Sequence, residues 1–207
     1  MRKNKISKSW IFKQHKDIYV KKSKIEGYRS RAVYKLQEID NKFKIFKNGT
    51  SVLDLGAAPG SWSQFAAKKV KKGKILSIDI KEMDKIENTF QIKGDFTENH
   101  NQQKIKKYFG GRVDIVLSDM AVNTSGNKSL DSIVTGELSI KAMIFAEEIL
   151  KLNGKFVTKF FMGSAFNEIN SEAKKYFREI NIFKPLASRK NSKETFIICK
   201  FLRKYYK

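Results

Sequence analysis

A lysine in an apolar strand poses the first chemical question of this sequence. In "GKFVTKFF", residues 154–161, Val157, Phe160 and Phe161 mark a strand that belongs in a core, yet Lys159 sits among them. Taking an ammonium out of water is costly unless charged partners surround it. Two readings stand side by side: Lys159 escapes to solvent at a strand end, or it stays inside because chemistry needs it there. Four carboxylates raise a companion question. Asp54, Asp79, Asp95 and Asp119 each end or follow a short apolar run, in "VLDLGAAPGSW", "KILSIDI", "GDF" and "VDIVLSD". Gly56 and Gly60, spaced G-x-x-x-G, let the backbone turn sharply and approach a ligand, and a helix opening near Ser61 offers free amides. The nicotinamide fingerprint is G-x-G-x-x-G instead. Asp54, just before that loop, suits a ligand with both an ammonium and a carboxylate. Asp79, 25 positions later, can accept both hydroxyls of a ribose, and Asp95 can meet an adenine amino group.

The elements that must position these groups alternate along the chain. Short apolar runs predict strands at 51–55, 74–78, 89–93, 113–118, 155–161 and 195–201, with a weak one at 181–184. Helical periodicity covers 61–70, 97–109, 137–152 and 166–180. In "YRSRAVYKLQEIDNKF", Ala32, Val33, Leu36, Ile39 and Phe43 recur at spacings of three and four and predict a helix over 28–43. Strand and helix in this rhythm make a parallel sheet covered on both faces. The last two strands lack a helix between them, so a hairpin places one antiparallel strand in the sheet. In such folds ligands sit beyond the carboxyl ends of the strands, where the four carboxylates gather. Residues 1–27 read as a basic, irregular extension whose aromatics Trp10, Phe12 and Tyr19 pack onto the single domain that makes up the chain.

Composition bounds the rest. The chain has 207 residues, 41% of them hydrophobic and only 2 of them proline, which suits one folded α/β domain. No apolar run approaches the roughly 20 residues of a membrane span, and "MRKNKISKSW" lacks the apolar core of a secretory signal. The lone Cys199 excludes an internal disulfide framework and fits a reducing compartment. With His15 and His100 far apart, a Cys/His metal cage is not expected. The net charge is +22, and it is uneven. Residues 1–47 hold 15 Lys/Arg against 4 Asp/Glu, and residues 184–207 hold 8 against 1. Basic ends flanking a nearly balanced centre attract polyanions.

"DLGAAPGSW", "DI" at 79–80, "GDF", "SDMAVN" and "VTKFF" together resemble the S-adenosylmethionine-dependent methyltransferases of the FtsJ/RrmJ (RlmE) family. "GYRSRAVYKLQEI" and "SRKNSKETFIICK" fit it as well, so the resemblance runs from about Trp10 to the C-terminus. It implies the class I methyltransferase fold, a Rossmann-like, seven-stranded, mostly parallel sheet with one antiparallel strand and helices on both faces. It also implies 2′-O-methylation of a uridine in large-subunit ribosomal RNA, with S-adenosyl-L-methionine as cofactor and a part in ribosome assembly. The family's cofactor contacts carry over to Gly60, Trp62, Asp79, Asp95 and Asp119. Its catalytic lysines and acids fall on Lys35, Asp119, Lys159 and Glu194. The chain departs at Ser61, where the family usually has a second glycine, and at Val122, where it has a proline.

The chemistry suits these residues. Methyl transfer from a sulfonium to a ribose hydroxyl needs alignment and a more nucleophilic oxygen. A neutral amine beside the hydroxyl could take its proton, whereas a solvated lysine, titrating at about 10.4, stays charged. Burial and a neighbouring ammonium favour the neutral form, and carboxylates oppose it. The expectation is Lys159 as proton acceptor, with Lys35, Asp119 and Glu194 orienting it and the ribose; the alternative is a charged Lys159 that steers the hydroxyl. Phosphate contacts are expected from Lys21, Lys22, Lys24, Arg29 and Arg31, before or within the helix carrying Lys35, and from Arg189, Lys190 and Lys193, next to Glu194. The partner is then ribosomal RNA or the large subunit, met by a monomer in the cytoplasm, a mitochondrion or a plastid. Rival readings are an RNA base methyltransferase and a non-catalytic assembly factor that keeps a cofactor pocket. Against the first, "SDMAVN" is not the Asn/Asp-Pro-Pro-aromatic motif of amino-group enzymes, and the one cysteine that a carbon-directed enzyme would need, Cys199, lies mid-strand with Phe201 and Ile197 as neighbours.

Overall fold

A computed structural model describes residues 17–120 and 128–203. Trp10, Phe12 and Val122 lie outside the described residues. The extension is not wholly irregular: Ile18–Ile25 forms α1, whose N-cap Asp17 accepts a hydrogen bond from the Tyr19 amide at 3.0 Å. The predicted helix over 28–43 begins later, as α2 at Val33–Phe43. Then follow β1 (Val52–Leu55), α3 (Ser61–Lys69), β2 (Ile75–Asp79), β3 (Phe90–Lys93), α4 (Asn99–Phe109) and β4 (Val113–Ser118). The chain closes with α5 (Lys128–Ile149), β5 (Leu150–Phe161), α6 (Phe166–Tyr176), β6 (Phe177–Phe183) and β7 (Glu194–Leu202). The weak strand expected at 181–184 is therefore longer and starts where helix was expected. Phe177 and Glu179 pair with Leu202 and Lys200 of β7, and that ladder takes precedence over local helical periodicity.

The seven strands are ordered β3-β2-β1-β4-β5-β7-β6. β7 runs antiparallel to both its neighbours, and the other pairings are parallel. This is the class I methyltransferase fold. One face packs under α2 and α3, through Leu36, Ile39, Trp62 and Phe65 against Val52, Leu117, Val157, Phe196 and Ile198. The other packs under α4, α5 and α6, through Ile105, Met143, Phe145 and Ile169 against Leu53, Leu76, Phe156, Phe160 and Ile197.

Strand parity now places the charged residues. Side chains alternate with period two, so Lys159 shares the α2 face with Val157, and Glu194 shares it with Phe196 and Ile198. In the β5–β7 ladder Lys159 pairs with Phe196 and Phe161 with Glu194, which sets Lys159 and Glu194 two residues apart across neighbouring strands. Asp119 continues the parity of Ile115 and Leu117 beyond the end of β4. Three charged residues distant in sequence therefore meet on one face, beneath α2.

Candidate active site

The carboxyl ends of β1, β2, β3 and β4 surround a cleft of about 520 Å³ lined by Gly56, Asp79, Asp95, Phe96, Asp119 and Met120, among others. Gly56 has φ +67°, and a Cβ there would lie 2.0 Å from Met120 Cγ, so only glycine lets the β1 and β4 loops approach so closely. Asp79 is fixed by two amides: Oδ2 accepts from Ala58 N at 2.9 Å and Oδ1 from Lys81 N at 2.8 Å. Asp95 Oδ1 accepts from the amide and the hydroxyl of Thr97, each at 2.8 Å. Asp54 lies deeper, 1% exposed. Its Oδ2 accepts from Ser63 Oγ at 2.5 Å, and Ser63 Oγ in turn shares a hydrogen bond with Ser77 Oγ at 2.6 Å. Burial pushes the Asp54 carboxyl up to about 7, helped by the charges of Asp119 and Asp79 and opposed by Ser63. A second cavity of about 30 Å³ lies between Asp54 and Asp119, walled also by Ser30, Ser61 and Trp62.

Lys159 is only 6% exposed, so it does not escape to bulk water at the strand end. Its Nζ lies 2.8 Å from Asp119 Oδ1 and donates to the Asp119 backbone oxygen at 2.7 Å. Lys35, carried by α2, lies 2.7 Å from Glu194 Oε2 and 3.6 Å from Asp119 Oδ2. Asp119 thus stands between the two ammoniums, one at each oxygen, and Glu194 engages Lys35 and not Lys159. Burial pushes the Lys35 amine down, but Asp119 and Glu194 outweigh it and hold it above the ordinary lysine value. Burial likewise pushes the Asp119 carboxyl up, and Lys159 and Lys35 together hold it below the usual carboxylate range. Lys159 is buried and the other three are mostly so, and the four form one charge network at the end of the cleft, with Asp119 common to both lysines.

Gly60 and Trp62 do not line the larger cleft. Gly60, φ +107°, caps α3 and packs beneath Arg29. Trp62 walls the small cavity, and its Nε1 donates to Ala32 O at 2.8 Å, which fastens α3 to the start of α2. Ser61 shares a hydrogen bond with Ser30 Oγ at 2.8 Å and adds a further tie between the same elements.

Of the expected phosphate contacts, Lys21, Lys22 and Lys24 are exposed on α1, and Arg189, Lys190 and Lys193 are exposed on the segment before β7. Asp17 draws these groups together, pairing with Arg31 and, at 3.9 Å, with Arg189. Arg31 is largely taken up by this bridging, since it also donates to Ala187 O. Arg29 donates to three backbone carbonyls. Two site residues escaped the sequence reading. Ser188 donates to Glu194 Oε1 at 2.7 Å, leaving Oε2 to Lys35. Glu38 accepts from the amides of Leu186 and Ala187, at 2.6 and 2.8 Å, and anchors that segment to α2. A serine in a basic stretch and a glutamate on a helix of mixed charge carry no period or motif that would announce either contact.

A model of the FtsJ-like methyltransferase family matches residues 28–202. The chain belongs to that family. A protein of Pelagibacter ubique named ribosomal RNA large subunit methyltransferase E is 61% identical over 203 residues, covering 98% of this chain and all of that protein. A protein of the same name from Legionella pneumophila strain Corby is 45% identical over 97% of this chain and 98% of its own length. Among solved structures, a putative ribosomal RNA methyltransferase from Plasmodium falciparum superposes with a TM-score of 0.77 at 35% identity, covering 84% of this chain and 98% of that one. The FtsJ-like match takes in Lys35, Asp119, Lys159 and Glu194, and leaves α1 with its three lysines outside. Among the described residues of this family member, no helix is long and apolar enough to cross a membrane. Nor does any group of three or more His, Cys, Asp or Glu stand ready to hold a metal ion.

Proposed function

We propose that this protein methylates large-subunit ribosomal RNA, transferring the methyl of S-adenosylmethionine to the 2′-hydroxyl of a uridine during ribosome assembly. The observation that carries the reading is the largely buried network of Lys35, Asp119, Lys159 and Glu194 at the end of the cleft. The cleft fits the cofactor by its donor set. Asp119 offers a carboxylate to an ammonium, with Asp54 on the small cavity behind it; amide-fixed Asp79 is placed to accept ribose hydroxyls, and Asp95 beside apolar Phe96 suits an adenine. When bound, the cofactor supplies an electrophilic methyl on a sulfonium.

The residues of the chain supply the rest. Lys159, an ammonium in its pairing with Asp119, must first release its own proton; as a neutral amine it would then take the proton of the 2′-hydroxyl and make that oxygen the nucleophile. Lys35, held as an ammonium, orients Asp119 and Glu194 and stabilises negative charge developing on the oxygen. Asp119 aligns Lys159 through both its carboxylate and its backbone oxygen. Ser188 holds Glu194 in place. Exposed Lys21, Lys22, Lys24, Arg189 and Lys190 suit an RNA backbone, which they would position without reading its bases. The names and 61% and 45% identity of the relatives support the large-subunit substrate. Cys199 is buried, and burial pushes its thiol up, away from a nucleophile's range, which disfavours carbon-directed base methylation. A monomer working in the cytoplasm completes the proposal, and the single cysteine accords with a reducing compartment.

The test is transfer of labelled methyl from S-adenosylmethionine to large subunits lacking the modification, followed by mapping of the labelled nucleotide. A 2′-O-methyl blocks alkaline cleavage at its own linkage. Label at a linkage that alkali still cuts would overturn the ribose assignment.

A further inference from the structure

Arg29 has more to do in this fold than its place in a basic stretch suggests. Its Nη1 donates to Pro59 O at 3.1 Å and to Asp84 O at 2.9 Å, and its Nη2 donates to Lys85 O at 2.9 Å. These carbonyls belong to two separate segments, the glycine loop after β1 and the stretch after β2. Both wall the larger cleft, the first through Gly56 and Ala58 and the second through Ile80 and Lys81. Residues 80–88 contain neither helix nor strand, so side chains must hold them. Gln91 supplies a second tie, donating to Asp84 O at 3.0 Å and accepting from Ile86 N at 2.9 Å. Gly60 is shaped around the same contact: a Cβ there would lie 2.9 Å from Arg29 Nη1 and 2.6 Å from Ile86 Cδ1. The backbone of Arg29 is fixed as well. Its amide donates to Gln64 Oε1 at 3.0 Å, and Gln64 Nε2 donates to Gly27 O at 3.1 Å.

We infer that Arg29 is a positioning residue for the cofactor cleft, clamping the glycine loop to segment 80–88, and that it is not a phosphate contact. The inference rests on the reading of this cleft as the S-adenosylmethionine site. A guanidinium has five N–H donors in a rigid fork. Three of them are spent on backbone carbonyls, which commits the group to the cleft wall, and a phosphate that took any of those three would open it. The clamp also needs the fork itself. A lysine ammonium keeps the charge but is a compact point on a flexible stem and cannot span both segments in the same way.

That difference supplies the experiment. Binding of S-adenosylhomocysteine to the full-length protein is measured by calorimetry for wild type and Arg29→Lys, alongside the salt dependence of RNA binding. The clamp predicts a Kd raised about tenfold in R29K, the equivalent of losing one charge-assisted hydrogen bond, with the RNA salt slope unchanged. Wild-type cofactor affinity in R29K overturns the inference. Arg29→Gln is the second variant, and carries the test should R29K not fold. The same loss of cofactor affinity and the wild-type salt slope are expected. Unaltered cofactor affinity with a slope shallower by about 0.7 to 0.9 marks one lost phosphate contact and overturns the clamp. If wild type itself fails to bind S-adenosylhomocysteine, the assignment of the cleft falls instead.

Discussion

Lys159→Met removes the amine at the centre of the site while keeping most of the side chain's volume. In the native protein Nζ lies 2.8 Å from Asp119 Oδ1, and Lys35 lies 3.6 Å from Oδ2. With an effective dielectric near 20, unit charges at those separations attract by about 6 and about 5 kcal/mol. The substitution deletes the first attraction, but it also deletes the cost of burying an ammonium, several kcal/mol in itself. Asp119 keeps Lys35 and is not stranded. The net loss should therefore fall at the low end for a broken buried pair, about 3 kcal/mol. It should also carry a pH signature. The Asp119 carboxyl is depressed, so it stabilises the fold above its unfolded value of about 3.9, and that stabilisation is lost as pH falls below it. Without Lys159 the depression shrinks, so the gap between wild type and variant should be widest near neutrality and narrow below about pH 4. Urea unfolding at neutral and acid pH reads this directly. Methyl transfer in single turnover should fall by at least about 100-fold. Affinity for S-adenosylhomocysteine should barely change, because Lys159 does not line the cleft. Near-native turnover, or a stability gap that widens in acid, would refute the reasoning.

Asp79→Ala removes a carboxylate that two amides hold against the cleft. Calorimetry should show cofactor affinity reduced about 10- to 100-fold, the range for a lost charged hydrogen bond, and unchanged affinity would end its ribose role. Asp54 has the opposite sign to Asp119. Its folded value, raised to about 7, means that the fold loses stability as pH climbs from the unfolded value of about 3.9 towards 7, by about 4 kcal/mol in all. Asp54→Asn should abolish that decline, so a variant whose stability still tracks wild type across the window would contradict it. Replacing Lys21, Lys22 and Lys24 together by Gln should reduce the salt slope of RNA binding by about 2 if each meets a single-stranded phosphate. An unaltered slope would move the RNA surface off α1.

Much of the fold was legible because burial imposes a period on each element. The 113–118 strand was read at its observed bounds, and β1, β2, β3 and α3 shifted by a residue at one or both ends. Less was legible where distant chain decides local structure. β6 begins at Phe177, inside a stretch with helical periodicity, because β7 offers it a ladder. α1 was read as irregular, although Asp17 caps it and also pairs with Arg31. The candidate site divides in the same way. Strand-end carboxylates could be found from apolar runs alone, and period two sets Lys159 with Val157 and Glu194 with Phe196 on one face.

What the chain alone determined, then, is which charged groups arrive at the carboxyl edge of the sheet and on which side, because strand alternation and apolar patterning are local. Which charge meets which was decided only in three dimensions. Asp119 stands between Lys35 and Lys159, Glu194 turns to Lys35, and Arg29 faces carbonyls from two loops. Coulomb energies and hydrogen bonds change over an ångström or less, and distances of that kind are set by how α2 and the loops pack on the sheet, not by any spacing along the sequence.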